Sequence, residues 1–188
     1  ATSAVCVKTN AFATLESVNI EANSDSKAYA VAVYGNCFIK NSTVKSNTYG
    51  FACYWSSKVT VENTNVTAGG HAISTAAAFS NPDMMITIKG GTYASSGSEW
   101  DSCAVYWAGH GTLKVEDGTF TGGSNGAGIY QKNGTVHISG GSFSAKDGAK
   151  LGAESKDSTE ISFNVTGGTF TGTRAGLYYK TTANGSNC

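Results

Sequence analysis

The residues of this chain best equipped for chemistry are aromatic side chains with a few polar neighbours: Tyr54, Trp55, Trp100, Asp101, Tyr106, Trp107, His110 and Tyr130. Exposed aromatic rings gathered on one surface mark a place of contact. Rings of this kind stack on sugar rings, and a carboxylate or imidazole beside them holds hydroxyls, so binding carbohydrate is one use of such a set, and lateral packing between rods is another. Catalysis asks for more. Cleaving a glycosidic bond takes one carboxylic acid to protonate the leaving oxygen and a second carboxylate, at a fixed separation, to activate water. The available acids are Asp83, in Asn81-Pro-Asp83, and Asp101, followed by Gly109-His-Gly111. Asp101 is single rather than one of an adjacent pair, and His110 follows it too closely to lie one repeat later. These residues read more simply as turn formers, and the protein is expected not to be an enzyme. The sequence shows no cofactor motif and no clustered set of Asp ligands for a metal.

The five cysteines, Cys6, Cys37, Cys53, Cys103 and Cys188, lack the C-x-x-C spacing of a zinc site. An oxidising compartment is the better expectation, which places the chain outside the cell or on its surface as a secreted protein. Cys37 and Cys53 both fall at inward positions near one corner and are the expected internal disulfide, provided their Cα atoms lie within about 7 Å. Cys103 reads as a buried free thiol. Cys6 near the start and Cys188 at the very end suggest a covalent link between successive subunits.

What would position these side chains is a repeat. The stretch Leu113-Lys-Val-Glu-Asp-Gly-Thr-Phe120 has counterparts ending at Ile20, Val44, Val66, Tyr93, Phe143 and Phe170, at intervals of 22 to 27 residues. Seven and five positions before each end stand apolar pairs such as Val59/Val61, Ile86/Ile88, Leu113/Val115 and Val136/Ile138, the alternation of a strand with one buried face. Three before the end stand Ser17, Asn41, Asn63, Gly90, Asp117, Gly140 and Gly167, types that tolerate a left-handed backbone and so predict a bend. A third strand follows each copy, with an outward row read as Tyr34, Tyr54, Ser74, Tyr106, Tyr130, Gly152 and Tyr178. Three strands and three bends per repeat describe one coil of a parallel β-helix. The expectation is an all-β, single-domain solenoid of about seven coils over residues 1–180, with 181–188 as a flexible tail. At about 4.8 Å per coil it would be roughly 34 Å long.

The row four before each end tests that alignment: Glu16, Lys40, Glu62, Lys89 and Glu116 alternate in sign. Stacked in register, these side chains would be neighbours on an outer face, where opposite charges attract. Net charge is zero and no basic block is present, so nucleic acid is not an expected partner. The longest apolar run, Ala28 to Tyr34, is far below the roughly 18 residues of a membrane span, so no membrane insertion is expected.

The coils resemble the right-handed parallel β-helix, or pectin-lyase-like, superfamily, and the Gly-Gly-Thr-Phe style copies are similar to repeats of bacterial surface proteins. Asn81-Pro-Asp83, Asp101 and Gly109-His-Gly111 stand in the order of the N-x-D, Asp-pair and G-H-G segments of polygalacturonases, but the Asp pair is incomplete and no R-I-K follows. The resemblance implies a fold shared by lyases, tailspikes and adhesins and leaves function open. From the residues, the leading expectation is an extracellular structural protein that associates with itself head to tail, through uncapped ends, into a fibre or layer. The alternative is a carbohydrate-binding or adhesin module using the Tyr/Trp face. Further alternatives are a pectin-active enzyme and an ice-binding protein, the latter from the Thr119/Thr121, Ser142/Ser144 and Thr169/Thr171 hydroxyl files.

Overall fold

The computed structural model describes residues 3–23, 28–152 and 161–179, except for the side chains of 76–79. Every regular element is a β-strand, and every pairing between strands is parallel. The chain winds through three sheets in turn. Sheet A stacks β1 (Ser3–Val7), β4 (Tyr29–Val33), β7 (Tyr49–Trp55), β9 (Ile73–Ser80), β11 (Val105–Trp107), β13 (Ala127–Gln131) and the later halves of β15 (Ser142–Leu151) and β17 (Thr169–Tyr179). Sheet B stacks β2 (Phe12–Glu16), β5 (Asn36–Lys40), β14 (Gly134–Ile138), β16 (Ile161–Val165) and the earlier halves of β8 (Lys58–Ala68), β10 (Met85–Ser95) and β12 (Thr112–Thr121). Sheet C takes β3 (Asn19–Ala22), β6 (Thr43–Ser46) and the remaining halves. The result is an all-β parallel solenoid of about six turns, slightly fewer than the seven expected. The copy ending at Ile20 reaches its third strand through residues 24–27, which lie outside the described residues.

The predicted bends form, with one adjustment. Ser17, Asn41, Asn63 and Gly90 carry positive φ as expected, but in later turns the left-handed residue is the next one along: Gly118, Gly141 and Gly168 rather than Asp117, Gly140 and Gly167. A glycine in the second place takes that conformation without a Cβ clash. The change inserts a bulge, so Lys89 lies opposite Glu62 on one side and Asp117 on the other.

Inside, like stacks on like. Tyr93, Phe120, Phe143 and Phe170 form a column of near-parallel rings with centroids 4.9, 4.7 and 4.7 Å apart. Outside sheet B the charge ladder holds, with Lys40 Nζ 2.9 Å from Glu16 and Lys89 Nζ 3.9 Å from Glu116. Outside sheet C, Thr119, Ser142 and Thr169 share one file, and Thr121, Ser144 and Thr171 a second. Arg174 of the last turn forms a two-pronged ion pair with the buried Asp147 of the turn before, its Nε donating to Oδ1 at 2.8 Å. At that last turn the inward-facing Phe163, Leu177 and Tyr179 are 40, 53 and 46 % exposed.

One sequence expectation is corrected in the core. Cys37 and Cys53 are buried as predicted, but they are free thiols and not a disulfide. Burial pushes the Cys37 thiol up to about 11 and the Cys53 thiol higher still, and both pack in the core as small apolar groups. Cys103 is a buried free thiol, pushed up to about 12 chiefly by desolvation, and Cys6 is exposed. Cys188, the tail 181–188 and the loop 153–160 lie outside the described residues.

Candidate functional site

The aromatic stripe of sheet A exists, but its register differs from the sequence reading. Ala32, Ala52, Ser74, Tyr106, Tyr130, Lys150 and Tyr178 share one outer row. Tyr34 and Tyr54 stand two residues further along, a displacement of about 6.6 Å at parallel-strand spacing. A slip of two keeps every side chain on its predicted face while moving it to another row. Tyr34 and Tyr54 therefore stack on each other, centroids 4.5 Å apart and planes 6° from parallel, and not on Tyr106.

A second outer row fills the gap. Tyr29 pairs with Tyr49, and the same register continues to His71. Tyr29 meets Tyr54 edge-on at 6.3 Å, Tyr49 meets Tyr29 at 5.3 Å, His71 meets Tyr49 at 5.3 Å, and Tyr106 stacks on His71 at 4.5 Å and 10°. Tyr106 in turn meets Tyr130 edge-on at 5.5 Å. The rings thus run continuously along the solenoid from Tyr34 to Tyr130. Where the first row carries Ala52 and Ser74 in place of a ring, the surface sinks into a cleft of about 200 Å³. Tyr29, Tyr49, Tyr54, His71 and Tyr106 line it. Ser74 Oγ donates to the Phe51 carbonyl at 3.2 Å, which leaves its lone pairs available. His71 is 9 % exposed, and its Nδ1 has no hydrogen-bond partner among the described residues. Burial lowers its pKa to about 4, against a smaller opposing pull from Asp101, so the imidazole is neutral at ordinary pH. Burial and then the neighbouring Tyr29 raise the Tyr54 phenol well above its usual range, so it too is neutral.

The loop entering β11 covers the next stretch of the face. Ser102 N–H donates to Glu99 O at 3.1 Å, Glu99 N–H to Ser102 Oγ at 3.2 Å, and Gly123 N–H to Ser102 O at 2.7 Å, which fixes the loop against the following turn. Beneath it Cys103, Ala127 and Tyr130 form a small separate core with Tyr106 against it. Trp100 is 56 % exposed and meets Tyr130 edge-on at 6.1 Å. Lys150 Nζ sits 3.9 Å from the Tyr130 ring centre, and Lys132 Nζ lies 5.7 Å from that of Tyr106. Such cation–π contacts each contribute about 0.5–2 kcal/mol, depending on exposure. Tyr130 is therefore covered by its neighbours and offers no free ring, contrary to its reading as a contact residue.

The remaining predicted residues do not join the cleft. Trp107 points inward and is fully buried, in file with Thr75 and Gln131. Trp55 and His110 lie at the corners from sheet A to sheet B. Trp55 is exposed with φ 55°, a conformation bulky residues rarely adopt. His110 Nδ1 is 3.0 Å from Asn133 Nδ2. Asp83 sits in the same run of corners, its N–H donating to Asn81 Oδ1 at 3.0 Å, whereas Asp101 precedes β11, at the opposite end of the sheet A strands. Asp83 and His110 thus share one edge of the solenoid and Asp101 lies on another.

Sequence reasoning missed Tyr29, Tyr49, His71, Ser74, Lys132 and Lys150. Alternation from the inward Val31 and Phe51 would put Tyr29 and Tyr49 on the inner face, so only the folded sheet A shows their rings outside with His71 beside them. Comparison with models of protein families, with curated proteins and with solved structures finds no match to this chain, so the aromatic cleft itself is the basis for a functional reading.

Proposed function

We propose that this solenoid is a carbohydrate-binding module of a secreted or cell-surface protein, with the sheet A cleft as its binding site. The observation that carries the reading is the row of rings from Tyr54 through Tyr29, Tyr49 and His71 to Tyr106 around a floor of Ala52 and Ser74. Aromatic walls with a few polar groups are the chemistry that holds a sugar ring, and the turn spacing of about 4.8 Å is close to the length of one sugar unit. Binding without catalysis fits the separation of Asp83 and His110 from Asp101. Kinship with the pectin-lyase-like superfamily is part of the proposal and is supported by the three-sheet parallel coil alone. The test is a glycan array followed by calorimetry on the best hit, with Tyr106→Ala compared to the parent. Saturable binding lost in the variant is the expected result; an array without hits would sink the reading.

A second reading, head-to-tail association of copies into an extracellular fibre, is favoured by the exposed Phe163, Leu177 and Tyr179 at one end. Among the described residues, that end presents one strand edge from each sheet and β1, β2 and β3 present one from each at the other, an arrangement in which a second copy would continue all three sheets. Cys6 is exposed and available for a link to Cys188. Negative-stain micrographs should show fibres that Leu177→Asp abolishes, and monomers at every concentration and redox condition would exclude this reading.

A further inference from the structure

We propose that the outer face of sheet B docks a second copy of this chain, face to face about a two-fold axis, with the stacking direction of that copy reversed. The surface uses neither the sheet A cleft nor the strand edges at the ends of the solenoid. Along β2, β5, β8 and β10 every second residue turns toward the core, and the others form three outward files across the first four turns. The first file runs Phe12, Asn36, Lys58, Met85, with an exposed apolar residue at each end. The middle file is uncharged and carries the half-buried Phe38. The third is the ladder Glu16, Lys40, Glu62, Lys89. Single exposed apolar side chains are ordinary on a monomer, so exposure alone marks nothing here. Position does.

Reversal makes this face fit itself. A two-fold axis along the strand direction, passing between the second and third turns, sets the first turn of one copy against the fourth of the other. Phe12 then faces Met85 of the second copy and Asn36 faces its Lys58, while Glu16 faces its Lys89 and Lys40 its Glu62, each contact occurring twice. In these files no charge faces its like. Other placements fail on the same residues. Sliding the reversed copy by one turn sets Glu16 against Glu62 and Lys40 against itself, where like charges repel. Sliding it by two turns either way shortens the overlap or leaves Phe12 facing a threonine and Lys58 facing Met85. A two-fold along the stacking axis sets each turn against itself, so the ladder meets either its own charges or Phe12 and Met85.

Size sets the strength. Four turns at about 4.8 Å and strands of five residues at about 3.3 Å give a face of roughly 300 Å² on each copy. A standard interface buries about 800 Å² per partner, so this contact is weak and the dilute protein is monomeric. The ladder gives it register more than affinity, because solvated charge pairs are screened by salt. Within one copy Lys40 already meets Glu16 at 2.9 Å, and the second copy places Glu62 before it as well.

The test is sedimentation equilibrium of the intact chain from about 10 μM to about 1 mM, the range of weak contacts. It should show a reversible monomer–dimer equilibrium that added salt shifts toward monomer. Lys40→Glu and Glu62→Lys should each weaken dimerisation at least about tenfold, because each sets like charges across the axis twice. An equimolar mixture of the two variants should dimerise as the parent does, since every pair across the axis is then opposite in charge. Met85→Asp, which leaves the ladder intact, should abolish the dimer, and Leu177→Asp should not; circular dichroism checks that each variant is folded. Monomers throughout the range would overturn the proposal, and so would a dimer indifferent to Met85→Asp, or single charge variants that dimerise as well as their mixture. Self-association lost in Leu177→Asp but kept in Met85→Asp would assign it to the ends of the solenoid and overturn the lateral face.

Discussion

On sheet C neighbouring turns place like beside like. Thr119, Ser142 and Thr169 follow one another outside, while Phe120, Phe143 and Phe170 do so within. On sheet A the outer file runs Ala32, Ala52, Ser74, Tyr106, Tyr130, Lys150, Tyr178, small at one end and bulky at the other. Both faces obey the same parallel register, so the difference is one of use. Repetition gives each turn the same neighbour and holds the stack together, whereas a run of small residues beside large ones opens a cleft. A solenoid can thus keep one face for stability and vary another for recognition, because each side chain touches only its own turn and the two beside it.

The largest test of that division is Phe143→Ala. It removes the middle of the ring column and leaves a cavity between two aromatic neighbours, and it should cost about 3–5 kcal/mol in urea denaturation. Saccharide affinity should be unchanged wherever the variant is folded. If affinity falls with stability, the two faces are not independent.

Next in size is an acid effect located in the cleft. Burial lowers the folded pKa of His71 to about 4 from the ordinary 6.5, so the unfolded chain takes up a proton that the native imidazole refuses. The stability this neutral His contributes is whole above about pH 6.5 and is lost as pH falls through about 4, a change on the order of 3 kcal/mol. The groups facing it are Tyr49, Tyr106 and Asp101. Thermal melts across this pH range should therefore lose their slope in His71→Phe, and an identical slope in the variant would refute the assignment.

A smaller effect of opposite sign is expected at the corner after β7. Trp55 holds a left-handed backbone, a strain of about 1–3 kcal/mol for a non-glycine residue. Trp55→Gly should relieve part of it and raise the melting midpoint without altering saccharide binding, which would separate this exposed ring from the cleft. A loss of binding would instead bring the corner into the site. Smallest of all is the surface ladder. A double-mutant cycle on Glu16 and Lys40 should give a coupling below the other effects that shrinks with added salt, since both partners are solvated and screened.

Much of the fold was legible because its signals repeat. Val59, Ile86, Leu113 and Val136 recur at one position of each copy and do line up in sheet B, and the sign alternation from Glu16 to Lys89 follows the same register. The site was legible only in part. Tyr54 and Tyr106 were correctly placed outward, yet they were read as one row when they stand two residues apart. Trp107 shows the same weakness from the other side: like Trp55 it follows an outward tyrosine and closes its strand, but it stays in file with Thr75 and Gln131 and turns into the core, while Trp55 takes a left-handed backbone and is exposed.

The sequence by itself determined the parallel coil, its bends, the aromatic column and the charge ladder, because each rests on a short-range pattern repeated at fixed distance from one anchor. Only the tertiary structure decided the register of sheet A, the burial of Tyr130 beneath Trp100, and the union of Tyr29, Tyr49, His71 and Tyr106 around Ser74. The reason is geometric. The connection from the anchor to the third strand varies in length from turn to turn, and a strand shifted by two residues keeps the same inward and outward faces, so hydropathy cannot detect the shift. The stacking of one turn on the next can.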